Sequence, residues 1–192
     1  MSFCMVLKRT LRFVFKIFGV YSIKKPLVMP DGACIVCPNH RSIFEVILIG
    51  ILLPREVRFI AKAELFVFKP FGWLISILGA IPIKRNSVDK DAYKEAIKIL
   101  ENGEPLLIFP QGTRAKEVDI NKGKNGPVAL SAKTSAPILP IGMYGKYRFL
   151  RSRVIINPGE LMSFDDLEPD SPSKDIRPKT QKLMQEIKLL CE

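Results

Sequence analysis

The stretch GACIVCPNHRSIFEVILIGILLP, residues 32–54, sets the expectations for the whole chain. Its first part, residues 32–38, is a short apolar run bounded by Gly and Pro, and it predicts a buried strand. Its second part, residues 42–53, is apolar, long enough for a helix, and ends at Pro54. A buried strand that leads directly into an apolar helix is typical of an α/β fold.

The alternation of strand and helix continues along the chain, without an internal repeat. The sequence therefore predicts an α/β fold with a mixed, mostly parallel sheet flanked by helices. Helical patterns occupy residues 63–80, the segment from Ser87 to Gly103, residues 126–135 and the end of the chain from about Asp175. Further strands are expected at residues 57–62, 80–85, 105–110, 136–144 and 153–159.

The chain is strongly basic. Among its 192 residues, Lys and Arg number 30 and Asp and Glu number 19, so the formal net charge at pH 7 is +11. This surplus indicates a polyanionic partner: nucleic acid, an anionic membrane surface or a phosphorylated substrate. Nucleic-acid binding by stacking requires aromatic side chains that alternate with cations on an exposed sheet or groove. The aromatic residues concentrate in two apolar helical segments instead, which argues against nucleic acid.

Cys34 and Cys37 form a Cys-x-x-Cys pair inside the predicted buried strand. No second such pair and no histidine besides His40 accompanies them, so a structural zinc site is not expected. A redox pair would open a helix and expose its first thiol. We therefore expect free core cysteines and a reducing compartment, which indicates the cytosol.

Residues 1–25 interleave phenylalanine and aliphatic residues with lysine and arginine. No apolar stretch here is long enough to span a bilayer, and the segment lacks the charge order and cleavage site of a signal peptide. Basic, aromatic-rich helices of this kind lie in the membrane interface. We predict an amphipathic, membrane-associated helix over residues 1–25 and one globular domain over residues 26–192. The alternative is an N-terminal helix packed on that domain.

The segment 63–80 predicts a helix that is broken near Pro70 and Gly72. It is apolar around its whole circumference and contains Lys69 and Trp73 near its middle. A helix of this kind is either deeply buried or faces a membrane. Lys and Trp are residues that favour the membrane–water interface. The segment is therefore a second candidate for membrane contact.

His40 is the only histidine of the chain, and Glu45 follows it five positions later. The start of a helix favours a neutral imidazole over a positive one. If the intervening loop curls back, the Glu45 carboxylate accepts a hydrogen bond from one ring nitrogen and leaves the other free to take a proton. No Ser or Cys is obviously paired with this base, so the pair predicts a general base that acts on a substrate hydroxyl. The alternative is a histidine in a turn, capped by Asn39 or by solvent.

Basic side chains cluster where predicted strands end. Ligands of open α/β sheets gather beyond the carboxyl ends of the strands. Arginine binds phosphate with two parallel hydrogen bonds, and glycine lets the backbone approach a ligand closely. These segments therefore predict a phosphate site, whereas Arg114 taken alone would be read as a solvated loop residue. The candidates are Gly112 and Arg114 in IFPQGTRA (108–115), Lys84 and Arg85 in GAIPIKRN (79–86), and Lys122 and Lys124 in NKGKNGP (121–127).

Four blocks of the sequence, in family order, resemble those of the glycerolipid acyltransferases, specifically the 1-acylglycerol-3-phosphate acyltransferases. NHRSIFE (39–45) is similar to the block Asn-His-x-Ser-x-x-Asp, and GAIPIKR (79–85) is similar to the glycine-to-arginine second block. FPQGTR (109–114) resembles Phe-Pro-Glu-Gly-Thr-Arg, and APILPIGMYG (136–145) resembles the proline-bracketed fourth block. The likeness spans nearly the whole chain.

The resemblance implies acyl transfer from acyl-CoA or acyl carrier protein to the hydroxyl of a lysophosphatidate, which gives phosphatidate for phospholipid synthesis. No metal and no cofactor beyond the acyl donor is implied. The place of action would be the cytoplasmic face of the cell membrane, with the enzyme peripheral or monotopic and an anionic membrane surface as partner.

The resemblance also implies a role for each matched residue. His40 would deprotonate the hydroxyl and Glu45 would hold His40. One further set of residues would bind the acceptor's phosphate, and another would shape the acyl or donor site. These are Lys84, Arg85, Gly112, Thr113, Arg114 and Lys124 for the phosphate, and Pro137 and Pro140 for the acyl or donor site.

Two residues depart from the family pattern. Glu45 stands where the family has Asp, and its side chain is one methylene longer. Gln111 stands where the family has Glu, which removes a negative charge beside the expected phosphate site. Both residues keep their hydrogen-bonding ability, so a working enzyme is expected. The alternatives are an acyltransferase with another acceptor and a catalytically weakened relative that binds lysophospholipid or membrane.

Overall fold

The computed structural model describes residues 3–83, 88–146, 153–168 and 171–192. Across these residues seven strands form one sheet: β1 Tyr21–Ile23, β2 Cys34–Pro38, β3 Arg58–Lys62, β4 Ala80–Ile83, β5 Pro105–Leu107, β6 Ile138–Lys146 and β7 Arg153–Pro158. Their order is β1-β7-β6-β2-β5-β3-β4. The five strands from β6 to β4 run parallel, β7 is antiparallel to β6, and β1 is parallel to β7. The expected mixed, mostly parallel α/β sheet is confirmed.

Helices cover both faces of this sheet. The side chains of the first three helices pack into one apolar cluster, and those of the last three pack into another on the opposite face. Single 3-10 turns lie at Ala63–Phe66 and Ile120–Lys122. The helices in the described part of the chain are α1 Phe3–Ile17, α2 Ile43–Leu52, α3 Lys69–Ile77, α4 Val88–Glu101, α5 Gly126–Thr134 and α6 Ser173–Leu190.

Strand β2 lies in the middle of the sheet and is buried along its whole length. Its side chains alternate between faces, so Cys34 packs into the first apolar cluster and Cys37 into the second. Both cysteines are free and fully buried, which confirms the expectation of core cysteines. Because burial disfavours a thiolate, it raises the pKa of the Cys34 thiol to about 11 and that of Cys37 well above its ordinary value.

Helix α1 is shorter than the predicted range 1–25. It ends at Ile17, and the turn that stops it contains Gly19, whose φ of 61° suits a residue without a side chain. The backbone N–H of Val20 closes this turn on the Phe15 carbonyl. Residues Tyr21–Ile23, predicted as helix, form the edge strand β1. Leu11 and Phe15 pack against the core, whereas other apolar residues of the helix face outward. Across the described residues, no helix combines the length and the apolar character needed to cross a membrane.

The segment 63–80 is helical but interrupted just before Pro70, close to the predicted break near Pro70 and Gly72. A 3-10 turn over Ala63–Phe66 is followed by a separate helix α3 that begins at Lys69 with Pro70 in its first turn. The break has a packing reason, because the backbone of Phe66 folds back so closely on Gly72 that a Cβ atom there would lie 2.8 Å from the Phe66 Cα. Strand β5 also ends earlier than predicted, at Leu107, which leaves residues 108–110 in the loop beside His40.

Candidate active site

His40 lies in the turn between β2 and α2, at the carboxyl edge of the parallel strands. The preceding residue, Asn39, is buried and fixes this turn to the neighbouring strand β6. Its amide Nδ2 donates to the Met143 carbonyl at 2.8 Å, and the Met143 N–H donates to its Oδ1 at 2.6 Å. The Asn39 side chain therefore extends the pairing of β2 with β6 beyond the last strand residue. Sequence reasoning offered Asn39 only as a cap for His40, and this anchoring role was missed.

Glu45 is at once the third residue of α2 and the partner of His40. Ser42 caps the helix, and the Glu45 carboxylate reaches back to complete a capping box. Its Oε2 accepts from the backbone N–H of Arg41 at 2.6 Å and of Ser42 at 3.0 Å. The same oxygen lies 3.4 Å from Nδ1 of His40. The helix start therefore places the acid on the imidazole, as the spacing of five residues predicted.

The pair is sheltered from solvent on the carboxylate side. The Glu45 side chain is fully buried, whereas the His40 side chain keeps 17% of its surface exposed. Two backbone donors replace water at Oε2, and in the described structure no donor reaches the buried Oε1. With Nδ1 directed at the carboxylate, Nε2 is the nitrogen left for a substrate proton.

The loop after β5 holds His40 from the other side. The Phe109 ring lies against the imidazole, with ring centroids 4.1 Å apart and an angle of 33° between the planes. The main chain of His40 is also held, because the Ala115 N–H donates to the His40 carbonyl at 2.9 Å. Both the ring and the backbone of the base are thereby fixed by residues 109–115.

Gln111 has a different place from the one the sequence suggested. It is 7% exposed, and its Oε1 accepts from the backbone N–H of His40 at 2.5 Å. Its Nε2 donates to the Glu117 carbonyl at 3.3 Å. The amide thus connects a donor to an acceptor and supports the turn that carries the base. The departure from Glu to Gln was noticed in the sequence, but its contact with the His40 backbone was not foreseen.

Four of the expected phosphate-binding residues come together beside this turn. Gly112 has a φ of 70° and lies against the aliphatic part of Lys124, where an added Cβ would be 3.3 Å from both Cγ and Cε of that lysine. Thr113 and Arg114 are exposed and immediately precede Ala115, the residue bonded to the His40 carbonyl. The Lys124 N–H donates to the Pro110 carbonyl at 2.7 Å. These contacts bring the backbone of residues 112–115 and of Lys124 close to the turn that carries His40.

The other expected site residues do not join this group. Lys84 and Arg85 lie outside the described residues; β4 ends at Ile83. Pro137 precedes β6 at its amino end, and Pro140 is buried inside β6 opposite Cys37. Asn39, which precedes His40, is bonded to Met143, and from Met143 Pro140 lies about 10 Å and Pro137 about 20 Å back along the strand. The structure does not bring either proline beside His40.

The end of α6 closes the back of the site, which the sequence did not indicate. Asn157 Nδ2 donates to the Leu190 carbonyl at 3.1 Å, and Gly142 faces the same carbonyl so closely that a Cβ atom there would collide with it. The Cys191 thiol that follows is near the Met143 backbone, Arg41 and Glu45, and burial raises its pKa. The last turn of the chain therefore backs the residues that hold His40.

Comparisons with known proteins place this geometry in a family. A model of the acyltransferase family matches residues 20–144. A 1-acyl-sn-glycerol-3-phosphate acyltransferase of Bacillus subtilis is 31% identical over 178 residues, which covers 90% of this chain and 88% of the relative. A chloroplast 1-acyl-sn-glycerol-3-phosphate acyltransferase of Brassica napus is 30% identical over 135 residues, which covers 68% of this chain. The chain spans about two fifths of the length of such plant relatives.

A solved structure shares the fold. The 1-acyl-sn-glycerophosphate acyltransferase PlsC of Thermotoga maritima superimposes with a TM-score of 0.72 at 24% identity, covering 97% of this chain and 79% of that one. This likeness concerns the arrangement of sheet and helices, whereas the family match and the bacterial relative carry the assignment. The chain therefore belongs to the acyltransferase family, and the relatives named here are 1-acyl-sn-glycerol-3-phosphate acyltransferases.

Proposed function

We propose that this chain transfers an acyl group from a thioester donor, acyl-CoA or acyl carrier protein, to the free hydroxyl of 1-acylglycerol-3-phosphate and so makes phosphatidate. The observation that carries the proposal is the His40–Glu45 pair, with Nδ1 and Oε2 at 3.4 Å, beside a loop that holds Arg114 and Lys124. The substrates named for the bacterial and plant relatives support this choice of acceptor.

The chemical step requires a base and no protein nucleophile. Nε2 of His40 takes the proton of the acceptor hydroxyl as its oxygen attacks the thioester carbonyl carbon. The C–O bond forms, the C–S bond of the tetrahedral intermediate breaks, and the thiolate leaves with the proton from the imidazolium. Glu45 holds the ring with Nε2 outward and stabilises the positive charge that develops on it.

The acceptor is oriented through its phosphate. Arg114 presents a planar guanidinium that matches phosphate oxygens, and Lys124 adds a second cation. Gly112 leaves room for close approach of the backbone, and Thr113 contributes a hydroxyl donor. Lys84 and Arg85, which follow β4, complete the proposed set. Holding the phosphate next to Nε2 fixes the hydroxyl near the base, which is where binding energy lowers the barrier.

The enzyme is proposed to work at the cytoplasmic face of the membrane, where its lipid substrates lie. Several large apolar side chains are exposed on helices of the same face of the sheet. Phe13 is 64% and Phe18 is 76% exposed at the end of α1, and Phe68 and Trp73 are 69% and 56% exposed around α3. Basic residues of α1 accompany them, a combination that favours the headgroup region of an anionic bilayer.

The decisive experiment is a donor and acceptor panel with purified protein on liposomes. It compares acyl-CoA with acyl carrier protein, and 1-acylglycerol-3-phosphate with lysophosphatidylcholine and glycerol-3-phosphate. We expect phosphatidate as product, and we expect His40→Ala to lower the rate by at least about a hundredfold with unchanged far-UV circular dichroism. Activity that persists in a folded His40→Ala protein would remove the mechanism.

A second candidate is a weakened relative that binds lysophospholipid with little turnover. The 3.4 Å separation of Nδ1 and Oε2, at the long end for a hydrogen bond, favours it. Under this alternative the natural protein binds 1-acylglycerol-3-phosphate in the panel but forms no product. Turnover would then appear only after Glu45→Asp combined with Gln111→Glu.

A further inference from the structure

A groove runs between α1, the edge strand β1 and the end of α2, away from the catalytic turn. We call it the α1 groove and define it by Arg9, Arg12, Phe13, Lys16, Ile23 and Leu52, which are among its lining residues. Its volume of about 1010 Å³ is at the upper end of the range for sites that hold small molecules. None of the functions assigned to His40 and its neighbours uses it.

The α1 groove is positively charged, which favours an anionic ligand. The side chains of Arg9 and Lys16 are exposed and make no hydrogen bond or ion pair in the described part of the chain. Arg12 donates to the Leu52 carbonyl, so its charge is anchored in the groove without being neutralised. No carboxylate occurs among the lining residues of the described structure. Three cations thus converge on one concave surface without a partner of opposite sign.

The groove is also apolar, which restricts the kind of anion. Phe13 is 64% exposed and Ile23 is 38% exposed, and both lie among the same lining residues as the cations. Leu27 and Leu52 add further apolar surface. A ligand that satisfies both parts has an anionic headgroup joined to acyl chains. A simple inorganic anion would leave the apolar part exposed to water.

The groove is separate from the proposed acceptor site. Strand β1 is four steps across the sheet from β5, which at the usual strand spacing is about 19 Å. The lining residue Leu52 is two turns along α2 from Glu45, a rise of about 10 Å. One acceptor molecule held at Arg114 therefore does not place its phosphate among Arg9, Arg12 and Lys16.

We propose that the α1 groove binds the headgroup of an anionic membrane phospholipid that is not a substrate, and that this lipid seats α1 on the bilayer. The phosphate meets Arg9, Arg12 and Lys16, and the acyl chains run along Phe13 and Ile23 toward the membrane. The inference rests on the membrane association included in the proposed function, and it adds a discrete lipid site to it.

The test uses the full chain and a short-chain phosphodiester lipid, dihexanoylphosphatidylglycerol, titrated below its micelle concentration by calorimetry. We expect saturable binding of one lipid per chain. Arg9→Gln with Lys16→Gln weakens it by roughly thirtyfold, since each cation near an anionic lipid contributes to binding. The matched control, Lys94→Gln with Lys98→Gln on α4 of the opposite face, removes the same charge and leaves binding unchanged. Thr10→Trp, which keeps the charge but fills the groove, abolishes binding.

Several outcomes overturn the proposal. Equal weakening in the α4 control, or full binding in Thr10→Trp, means that diffuse charge attracts the lipid. Displacement of the lipid by inorganic phosphate means that the site takes a free anion. Loss of binding in Arg114→Gln means that the lipid occupies the acceptor site. Acyl transfer is measured in a separate assay with His40→Ala as its control. The lipid site and the catalytic proposal are therefore tested independently.

Discussion

A single residue, Glu45, performs two tasks in this protein. Its Oε2 completes the capping box of α2 and also lies on Nδ1 of His40. A side chain that caps the helix cannot leave the imidazole without loosening the helix start, so local stability and the orientation of the base are coupled. The Glu45 side chain, one methylene longer than the Asp of the family pattern, still reaches back to the turn.

Gln111 supports the same turn through its amide, and its replacement by the family's Glu is informative. In Gln111→Glu one carboxylate oxygen still accepts the hydrogen bond from the His40 N–H. The other oxygen faces the Glu117 carbonyl oxygen, and because neither of these two oxygens carries a proton, that hydrogen bond is lost. We expect kcat/KM to fall by roughly tenfold, the scale of one lost buried hydrogen bond. The added negative charge favours the protonated imidazole, so the acidic limb of the pH–rate profile moves to higher pH.

Glu117→Gln provides the control for that measurement, since its side chain is exposed and only its carbonyl contacts Gln111. It should leave both the rate and the pH profile unchanged. An unaltered pH profile in Gln111→Glu would mean that the new carboxylate does not act on His40.

At the scale of elements, helix α1 packs on the domain, which is one of the two alternatives that the sequence offered, while its membrane association stays a prediction. Leu11 and Phe15 pack on the domain, whereas Phe13 of the same helix and Phe18 just after it are exposed. The amphipathic pattern correctly indicated a helix with two faces. It could not show that the chain turns at Gly19 into an edge strand, because three residues carry too little pattern to be recognised.

Phe13→Ser combined with Phe18→Ser tests the outward face of α1. Both side chains are exposed, so the melting temperature should change little, but apolar area is lost from the proposed membrane contact. We expect the partition coefficient onto anionic vesicles, measured by flotation, to fall roughly tenfold or more. Leu161→Ser with Leu189→Ser removes exposed apolar side chains elsewhere and serves as the control. Comparable loss in that control would rule out a specific role for α1.

Strand β2 gives a prediction on alkaline stability. Burial raises the pKa of Cys34 from its ordinary 9.0 to about 11. Between these values the unfolded chain has lost the thiol proton and the folded chain keeps it, so the free energy of unfolding falls as pH rises. The loss attributable to Cys34 is on the order of 2 kcal/mol by pH 11.

Urea unfolding of the natural protein and of Cys34→Ala across this pH range checks the prediction. The variant is less stable at neutral pH because of the cavity, but its curve should decline less steeply above about pH 9. Parallel curves for the two proteins would show that the Cys34 thiol does not titrate differently in the folded state.

Across the whole molecule, the site is an assembly of distant segments at one edge of the sheet. The turn after β2, the loop after β5, strand β6 and the last turn of α6 all meet around His40. The sequence predicted the sheet and the contact of Glu45 with His40, because each has a local pattern, whereas the roles of His40 as a base and of the cations as phosphate ligands stay predictions. It could not predict the contacts of Asn39 with Met143 or of Gln111 with His40, since these depend on which strands become neighbours.

Gly142→Ala tests the contact of α6 with the sheet. The added methyl collides with the Leu190 carbonyl, so the end of α6 must move, and with it the Cys191 turn behind Met143 and Glu45. We expect a destabilisation of about 1 to 3 kcal/mol and a loss of activity that exceeds the unfolded fraction. Gly126→Ala is the control because no atom lies within 4 Å of its Cβ position. Full activity in a folded Gly142→Ala protein would separate α6 from the site.

The pairing of β1 with β7 has a consequence for how the protein is made. Tyr21 and its neighbours find their partners only at Val154 and beyond, so the N-terminal strand stays unpaired until most of the chain has left the ribosome. Throughout that interval the exposed phenylalanines of α1 are attached to a strand with nowhere to dock. If α1 contacts the membrane as proposed, the nascent polypeptide can reach a bilayer before its sheet is complete, and the pairing of β1 with β7 then completes the sheet at that surface.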